Sequence, residues 1–256
     1  MPKINFKYQI NSEESTLATT MIAIPNWFVN YPNCLDALFE IGYFIGRTKD
    51  ARSPEGHFYS LGYQTIVQFP YTFRATCILV EKGFYTEAVS LVRNLYESFF
   101  QLRYFHKHQN SIMAHWTKKH RVRIKTMFEE IAPGFYDKIY GKELSEFAHS
   151  GIASSMFRTK YISPEVGETT MGSKYDESGC TYSINKIIVI AFGVLNYVPI
   201  LFPQYSDLVE ETMEIKRRQV LIDELIKPRT NSGVAIAIQK GAFESSRIQV
   251  VQETIR

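Results

Sequence analysis

Cysteines are few in this chain, and none of them is arranged as in a disulfide framework or a zinc site. The 256 residues include three cysteines, Cys34, Cys77 and Cys180, which lie far apart, and no C-x-x-C pair occurs. The H-E-x-x-H motif, the phosphate-binding glycine loop and the dinucleotide-binding glycine fingerprint are absent as well. These absences argue against zinc hydrolases, P-loop NTPases and Rossmann enzymes, and we expect neither a metal nor a cofactor. Free thiols favour a reducing compartment, the cytoplasm.

The sequence also lacks a clean apolar run of membrane-spanning length. Residues 184–202 come nearest, but Asn185, Lys186, Asn196 and Pro199 interrupt them. A membrane span needs roughly 20 predominantly apolar residues. The first residues also lack the apolar core of a signal peptide. We therefore expect a buried core helix at 184–202, a cytoplasmic protein and no membrane partner.

What is present is a chain rich in helical patterns and aromatics, which make up 14% of the residues. Helical periodicity predicts an all-α fold, a single bundle-like domain of six or seven helices over residues 34–227. Residues 1–33 are predicted to be an irregular segment and 228–256 a C-terminal tail. The polar, Gly-, Ser- and Thr-rich stretch 151–181 is predicted to be a long loop. The predicted helices are 34–49, 57–82, 85–108, 111–131, 135–149, 183–202 and 204–226.

The helices over 57–82 and 85–108 are separated by one tight turn. Gly83 suits a helix C-terminus, so the two helices should form an antiparallel hairpin. Pro70 lies inside the first helix and predicts a kink or break near Phe69.

Two pairs of polar residues at helical spacing are the candidate site. Arg93 and Glu97 lie four apart in a helix that is apolar on nearly all sides, so we expect a buried ion pair, either structural or catalytic. Ser145 and His149 lie four apart at the end of a later helix, where His149 either caps the helix or acts in chemistry. If the two faces meet, the four residues form one cluster, with His149 as the catalytic group and Arg93 as its charge partner.

These residues carry a resemblance to a known family. The pattern Gly83-x4-Ala88-x2-Leu91-x-Arg93-x3-Glu97, followed by Tyr140-x3-Leu144-Ser145-x3-His149, resembles an all-helical bacterial family of unknown function. The resemblance covers roughly residues 60–225. It implies that Arg93, Glu97, Ser145 and His149 act together, and it implies no established activity.

A second, broader resemblance is to HEPN proteins, helical domains that often act as ribonucleases in toxin and antiphage systems. Their signature is an arginine followed four to six residues later by a histidine. Arg103 and His108 match that count as alternative catalytic residues, but Tyr104 stands where the family usually has a polar residue. Arg93-Asn94 has the polar follower but lacks the histidine. The alternative interpretation of Arg103 and His108 is a solvated helix end.

A basic run could hold nucleic acid. Net charge is only +3, so the whole molecule does not demand such a partner. We expect the run to form one face of the predicted helix 111–131, where it would either contact an RNA backbone or simply be solvated. Its members are Lys118, Lys119, Arg121, Arg123 and Lys125.

Two functional hypotheses follow. The first is a HEPN-like effector of a bacterial defence or toxin system that acts as a metal-independent endoribonuclease. The second is a non-enzymatic helical sensor or protein-interaction component of such a system. In either case the aromatic helices favour a homodimer or a partner protein.

Overall fold

The computed structural model describes residues 6–45, 54–148, 159–163, 166–169 and 173–203. Over these ranges the fold is all-α, as predicted, with one small β-hairpin. The long helices are α1 (Phe6–Ala23), α2 (Pro25–Ile45), α3 (Pro54–Glu81), α4 (Tyr85–Lys107) and α8 (Glu177–Leu201). The short elements are a 3₁₀ turn (Gln109–Ser111), α5 (Ile112–Trp116), α6 (Ile124–Ile131), a π-helix (Tyr136–Leu144), α7 (Ser145–Ala148), β1 (Thr159–Ser163) and β2 (Val166–Thr169).

The hairpin of α3 and α4 is the centre of the fold, and the prediction of it is confirmed. Gly83 has φ +80° and ends α3 with two hydrogen bonds, from the Gly83 amide to the Val80 carbonyl (3.0 Å) and from the Phe84 amide to the Leu79 carbonyl (2.7 Å). This is a Schellman motif, which requires the left-handed backbone that glycine adopts at little cost. α4 also packs against α6, α7, α8 and the π-helix. Residues on different faces of α4 therefore meet different parts of the fold.

The break expected near Pro70 is absent. α3 continues through Pro70, which is buried. A proline removes one backbone hydrogen bond, but α3 packs along its length against both α2 and α4. Tertiary contacts of this kind outweigh the local cost.

The prediction of an irregular segment over residues 1–33 is wrong, because α1 and the start of α2 occupy it from Phe6 onward. α1 is polar and shows little helical periodicity. Its threonines are nevertheless at the interface, where Thr16 and Thr20 are buried. Ser173 Oγ donates to Thr16 Oγ1 (3.1 Å), and Lys82 Nζ lies 2.9 Å from Glu13 Oε2. Packing, not propensity, makes this segment helical.

Three further boundaries differ from the prediction. The helix expected over 111–131 is divided into α5 and α6 by a turn. The loop expected over 151–181 contains the antiparallel pair β1–β2, and α8 begins within it at Glu177. The predicted helix 204–226 and the tail 228–256 lie outside the described residues.

α8 is the core helix expected over 184–202. Within the described part of the chain, its residues Glu177–Val198 are the one segment long and apolar enough to cross a membrane, and 59% of the most apolar window is buried in the fold. Buried core helices of soluble proteins share this length and composition. Its first turn is held by Asp176, whose Oδ2 accepts from the Gly179 amide at 2.6 Å.

Candidate functional site

Arg93 and Glu97 lie on one face of α4, as their spacing predicts. Arg93 Nε is 3.2 Å from Glu97 Oε1. The Arg93 side chain is 21% exposed and that of Glu97 37%. The pair is therefore half-buried and open to solvent on one side, not sealed in the core as expected.

Tyr140 of the π-helix completes this pair. Arg93 Nε donates to the Tyr140 hydroxyl at 2.9 Å, and that hydroxyl donates to Glu97 Oε1. The Arg93 guanidinium also lies 4.8 Å from the centre of the Tyr140 ring. The ring is buried, and it packs on Phe128 and Tyr136 with ring centres 4.6 and 5.2 Å away. Three side chains from two elements thus form one network, the Arg93–Glu97–Tyr140 cluster.

The charges of this cluster are fixed by its surroundings. Burial, followed by the hydrogen bond to Glu97, raises the pKa of Tyr140. Burial alone would lower the pKa of Arg93, but its contacts with Tyr140 and Glu97 outweigh burial and raise that pKa. At neutral pH the cluster therefore contains a permanent cation, Arg93, and a neutral phenol, Tyr140, that donates to Glu97 Oε1.

The second predicted pair is described only in part. Ser145 begins α7, is half-buried, and donates its amide to the Tyr140 carbonyl. Ser90, one turn before Arg93 on α4, donates its hydroxyl to the Phe147 carbonyl at 3.2 Å. α7 is thus attached to the same stretch of α4 that carries Arg93. His149 lies outside the described residues, so its place in the cluster stays a prediction.

Arg103 and His108, the alternative catalytic pair, have separate partners. Arg103 Nη2 donates to the Tyr197 hydroxyl (2.9 Å) on α8, and its guanidinium lies 3.9 Å from the Tyr197 ring centre. His108 Nε2 pairs with Glu130 of α6, and its ring lies 4.4 Å from that of Tyr104. His108 directly follows α4, which ends at Lys107. Arg103 therefore contacts α8, whereas His108 contacts α6.

The basic run is not a helix face, which corrects the prediction. Lys118, Lys119 and Arg121 lie in the turn between α5 and α6, and Arg123 directly precedes α6. These four residues are exposed. Lys125, in the first turn of α6, differs from these four residues because it forms an ion pair, with its Nζ 3.0 Å from Asp137 Oδ1.

Two other kinds of site find no support in the described residues. No group of three or more His, Cys, Asp or Glu side chains there could hold a metal ion. Cys34, Cys77 and Cys180 are free thiols and buried. Burial raises the pKa of Cys34 to about 12, which keeps it protonated and a poor nucleophile.

Residues 67–147 match the family model described as "Family of unknown function (DUF5677)". The match covers the α3–α4 hairpin and continues to α7. It includes Arg93, Glu97, Tyr140 and Ser145, and it ends two residues before His149. Searches of curated proteins and of solved structures gave no significant match. The chain is therefore similar, over this segment, to a family whose function is not known.

Sequence reasoning did not identify Tyr140 or Ser90 as site residues. Tyr140 was visible as part of the pattern that resembles a family, five residues before Ser145, but its link to Arg93 depends on the π-helix. Ser90 sits at i−3 from Arg93, on a neighbouring face of α4. A polar residue one turn from a half-buried arginine is the signal that could have indicated it.

Proposed function

We propose that the chain is a metal-independent endoribonuclease, a cytoplasmic effector of a bacterial defence or toxin system. The observation that supports this proposal most is the Arg93–Glu97–Tyr140 cluster at a solvent-reachable junction of α4, the π-helix and α7. The last described residue of α7 directly precedes His149. In this proposal an arginine held in one orientation stabilises charge on the phosphate, and His149 acts as the general base of RNA cleavage.

In this proposal His149 removes the proton of a ribose 2′-hydroxyl. The 2′-oxygen then forms a bond to phosphorus, the bond from phosphorus to the 5′-oxygen breaks, and the departing oxygen takes up a proton from solvent. Arg93 stabilises the negative charge that grows on the phosphate oxygens. Glu97 and Tyr140 position Arg93 and hold its guanidinium in one orientation. Ser145 is a further residue that could contact the substrate.

Cleavage of a labelled RNA in the presence of EDTA tests this proposal. We expect activity in the wild type, and its loss in His149→Ala and in Arg93→Ala. Arg103→Ala should retain activity, because Arg103 is occupied by Tyr197. Melting of each variant shows whether the fold is kept. An inactive wild-type protein, or full activity in His149→Ala, would contradict the mechanism.

A second candidate is a non-enzymatic interaction component that acts as a homodimer. Its support is an exposed aromatic face on α2 and α3, formed by Phe39 (42% exposed), Tyr43 (64%) and Tyr71 (64%). Phe39 and Tyr71 meet edge to face with ring centres 5.3 Å apart, and Tyr43 lies one turn from Phe39. Exposed aromatics grouped in this way are typical of interfaces.

Light scattering after size exclusion tests the dimer. We expect twice the chain mass for the wild type at micromolar concentration, and a monomer for Tyr71→Lys. Exposed Met113→Lys, which lies in α5, is the matched control and should remain dimeric. A wild-type monomer would exclude this interface.

A further inference from the structure

A stretch of 31 consecutive residues in this chain contains no acidic residue. Residues 98–128 include no Asp or Glu, although the chain has 26 of them, and this stretch holds four of the six histidines. Its cations are Arg103, Lys107, Lys118, Lys119, Arg121, Arg123 and Lys125. We propose that the exposed basic turn of this stretch, residues 116–123, is a binding surface for single-stranded RNA. The inference extends the proposed function to the surface that holds its substrate.

Hydrogen bonds fix the backbone of this basic turn. Its backbone is attached to α5 by hydrogen bonds from the Lys118 amide to the His115 carbonyl (3.1 Å) and from the His120 amide to the Ala114 carbonyl (3.0 Å). The Val122 amide donates to His115 Nδ1 at 3.2 Å. Lys118 adopts φ +60°, a left-handed backbone conformation within the turn. Because the backbone is fixed in this way, binding has to order only the exposed side chains.

His115 is suited to its part in the turn. Burial, followed by the nearby charge of Arg121, lowers its pKa. The ring is therefore neutral at pH 7, and Nδ1 is able to accept the Val122 amide. The structure of the turn then does not depend on a protonation event near neutral pH.

The carboxylates near this surface are engaged elsewhere. Glu130 pairs with His108, and Glu129 Oε2 accepts from the Gly134 amide at 3.1 Å. Asp137 pairs with Lys125. Lys119 and Arg121 are exposed to solvent, and their positive charges are accessible to a phosphate backbone.

An aromatic side chain beside the charges favours a single strand over a duplex. Trp116, the last residue of α5, is 37% exposed, and Met113 on the same helix is 41% exposed. The Trp116 ring lies 6.5 Å from that of His57 at the start of α3. Unpaired bases can stack on such a ring, whereas paired bases cannot.

Fluorescence anisotropy with a labelled 12-nucleotide 2′-O-methyl oligouridine tests the inference. This probe lacks the hydroxyl that cleavage requires, so binding is measured whether or not the protein is a nuclease. Lys119→Glu/Arg121→Glu should weaken binding at least tenfold. The matched control Lys7→Glu/Lys174→Glu makes the same charge change at two exposed lysines elsewhere and should change binding less than twofold.

Two further measurements assign the kind of ligand. Neutralising Lys119 and Arg121 to Ala should reduce the slope of log K against log salt by about 1.4, if each lysine or arginine contacts one phosphate of a single strand. Trp116→Ala should weaken binding about tenfold, and Trp116→Phe should restore most of it.

Equal binding by the two charge-reversal variants would overturn the inference. A 12-base-pair RNA duplex that binds as tightly as the single strand, with no effect of Trp116→Ala, would also overturn it. Binding that follows these expectations in a protein that cleaves no RNA would refute the proposed function and leave the binding surface intact.

Discussion

Arg93 Nε lies 2.9 Å from the Tyr140 hydroxyl, although the two residues are 47 positions apart in the chain. This hydrogen bond joins the central helix α4 to the π-helix at the edge of the aromatic core. It orients the guanidinium of Arg93. The consequences of that contact for stability and activity can be measured separately.

Removing only the hydroxyl tests the cluster. We expect Tyr140→Phe to lower the free energy of unfolding by about 1 kcal/mol, because the variant loses the hydrogen bonds to Arg93 and Glu97 and keeps the ring packing. Urea denaturation measures the change. Tyr136→Phe is the control, since the described residues give the Tyr136 hydroxyl no hydrogen bond and its ring packs on that of Tyr140. Equal losses in the two variants would mean that the network adds no stability.

Alkaline pH should destabilise the fold through three tyrosines. Burial raises the pKa of Tyr31, Tyr85 and Tyr140. Above pH 10 these phenols deprotonate in the unfolded chain before they do so in the folded protein, so the unfolded state binds fewer protons and stability falls. Urea denaturation between pH 8 and 11 should show this decline. Each of the three Tyr→Phe variants should flatten it.

The ionised side chain of Glu81 should lower the free energy of unfolding at neutral pH. It is buried, its Oε1 atom has no hydrogen-bond partner in the described structure, and Arg74 Nη1 is 3.5 Å away. Burial raises the pKa of Glu81 despite Tyr31 and Arg74, so stability is highest where this group is protonated and declines as pH rises above about 4.5.

The variant Glu81→Gln removes that pH dependence. We expect it to be at least as stable as the wild type at pH 7 and to lose this advantage at pH 4. Free energies of unfolding from pH 4 to 8 measure the difference. A variant less stable than the wild type at pH 7 would show that the ion pair with Arg74 outweighs the burial.

Two glycines with similar backbone angles allow a matched comparison. Gly83 has φ +80° and Gly134 has φ +77°. A Cβ at Gly83 would lie 2.8 Å from the Lys174 carbonyl oxygen and 2.9 Å from Thr16 Cγ2, whereas a Cβ at Gly134 would meet nothing within 4 Å. Gly134→Ala should cost about 1–2 kcal/mol for the left-handed backbone. Gly83→Ala should cost clearly more, as thermal melting of both variants would reveal.

The parts of the fold that the sequence predicts well are those with strong local signals. The α3–α4 hairpin follows from apolar periodicity on both sides of Gly83. α1 could not be predicted in this way, because its buried threonines are stabilised by contacts with residues far along the chain, among them Ser173. The turn between α5 and α6 was also missed, since its backbone geometry depends on the acceptor that His115 supplies.

The same distinction applies to the candidate site: local spacing predicts one part of it and not the other. Arg93 and Glu97 are predictable as an i,i+4 pair, and the structure confirms their contact. The tyrosine that joins them is not, because helical spacing along 135–149 assumes 3.6 residues per turn. The resemblance to a family of unknown function is supported over 67–147, and the HEPN-like resemblance stays a prediction.

The π-helix over Tyr136–Leu144 makes the site sensitive to chain length. Wide turns of this kind hold one residue more than an α-helix of the same rise. Deleting a single residue before Tyr140 would restore ordinary helical spacing and rotate the phenol by about 100° around the axis. The number of residues in this short segment would then decide whether Arg93 and Glu97 of α4 keep their contact with Tyr140.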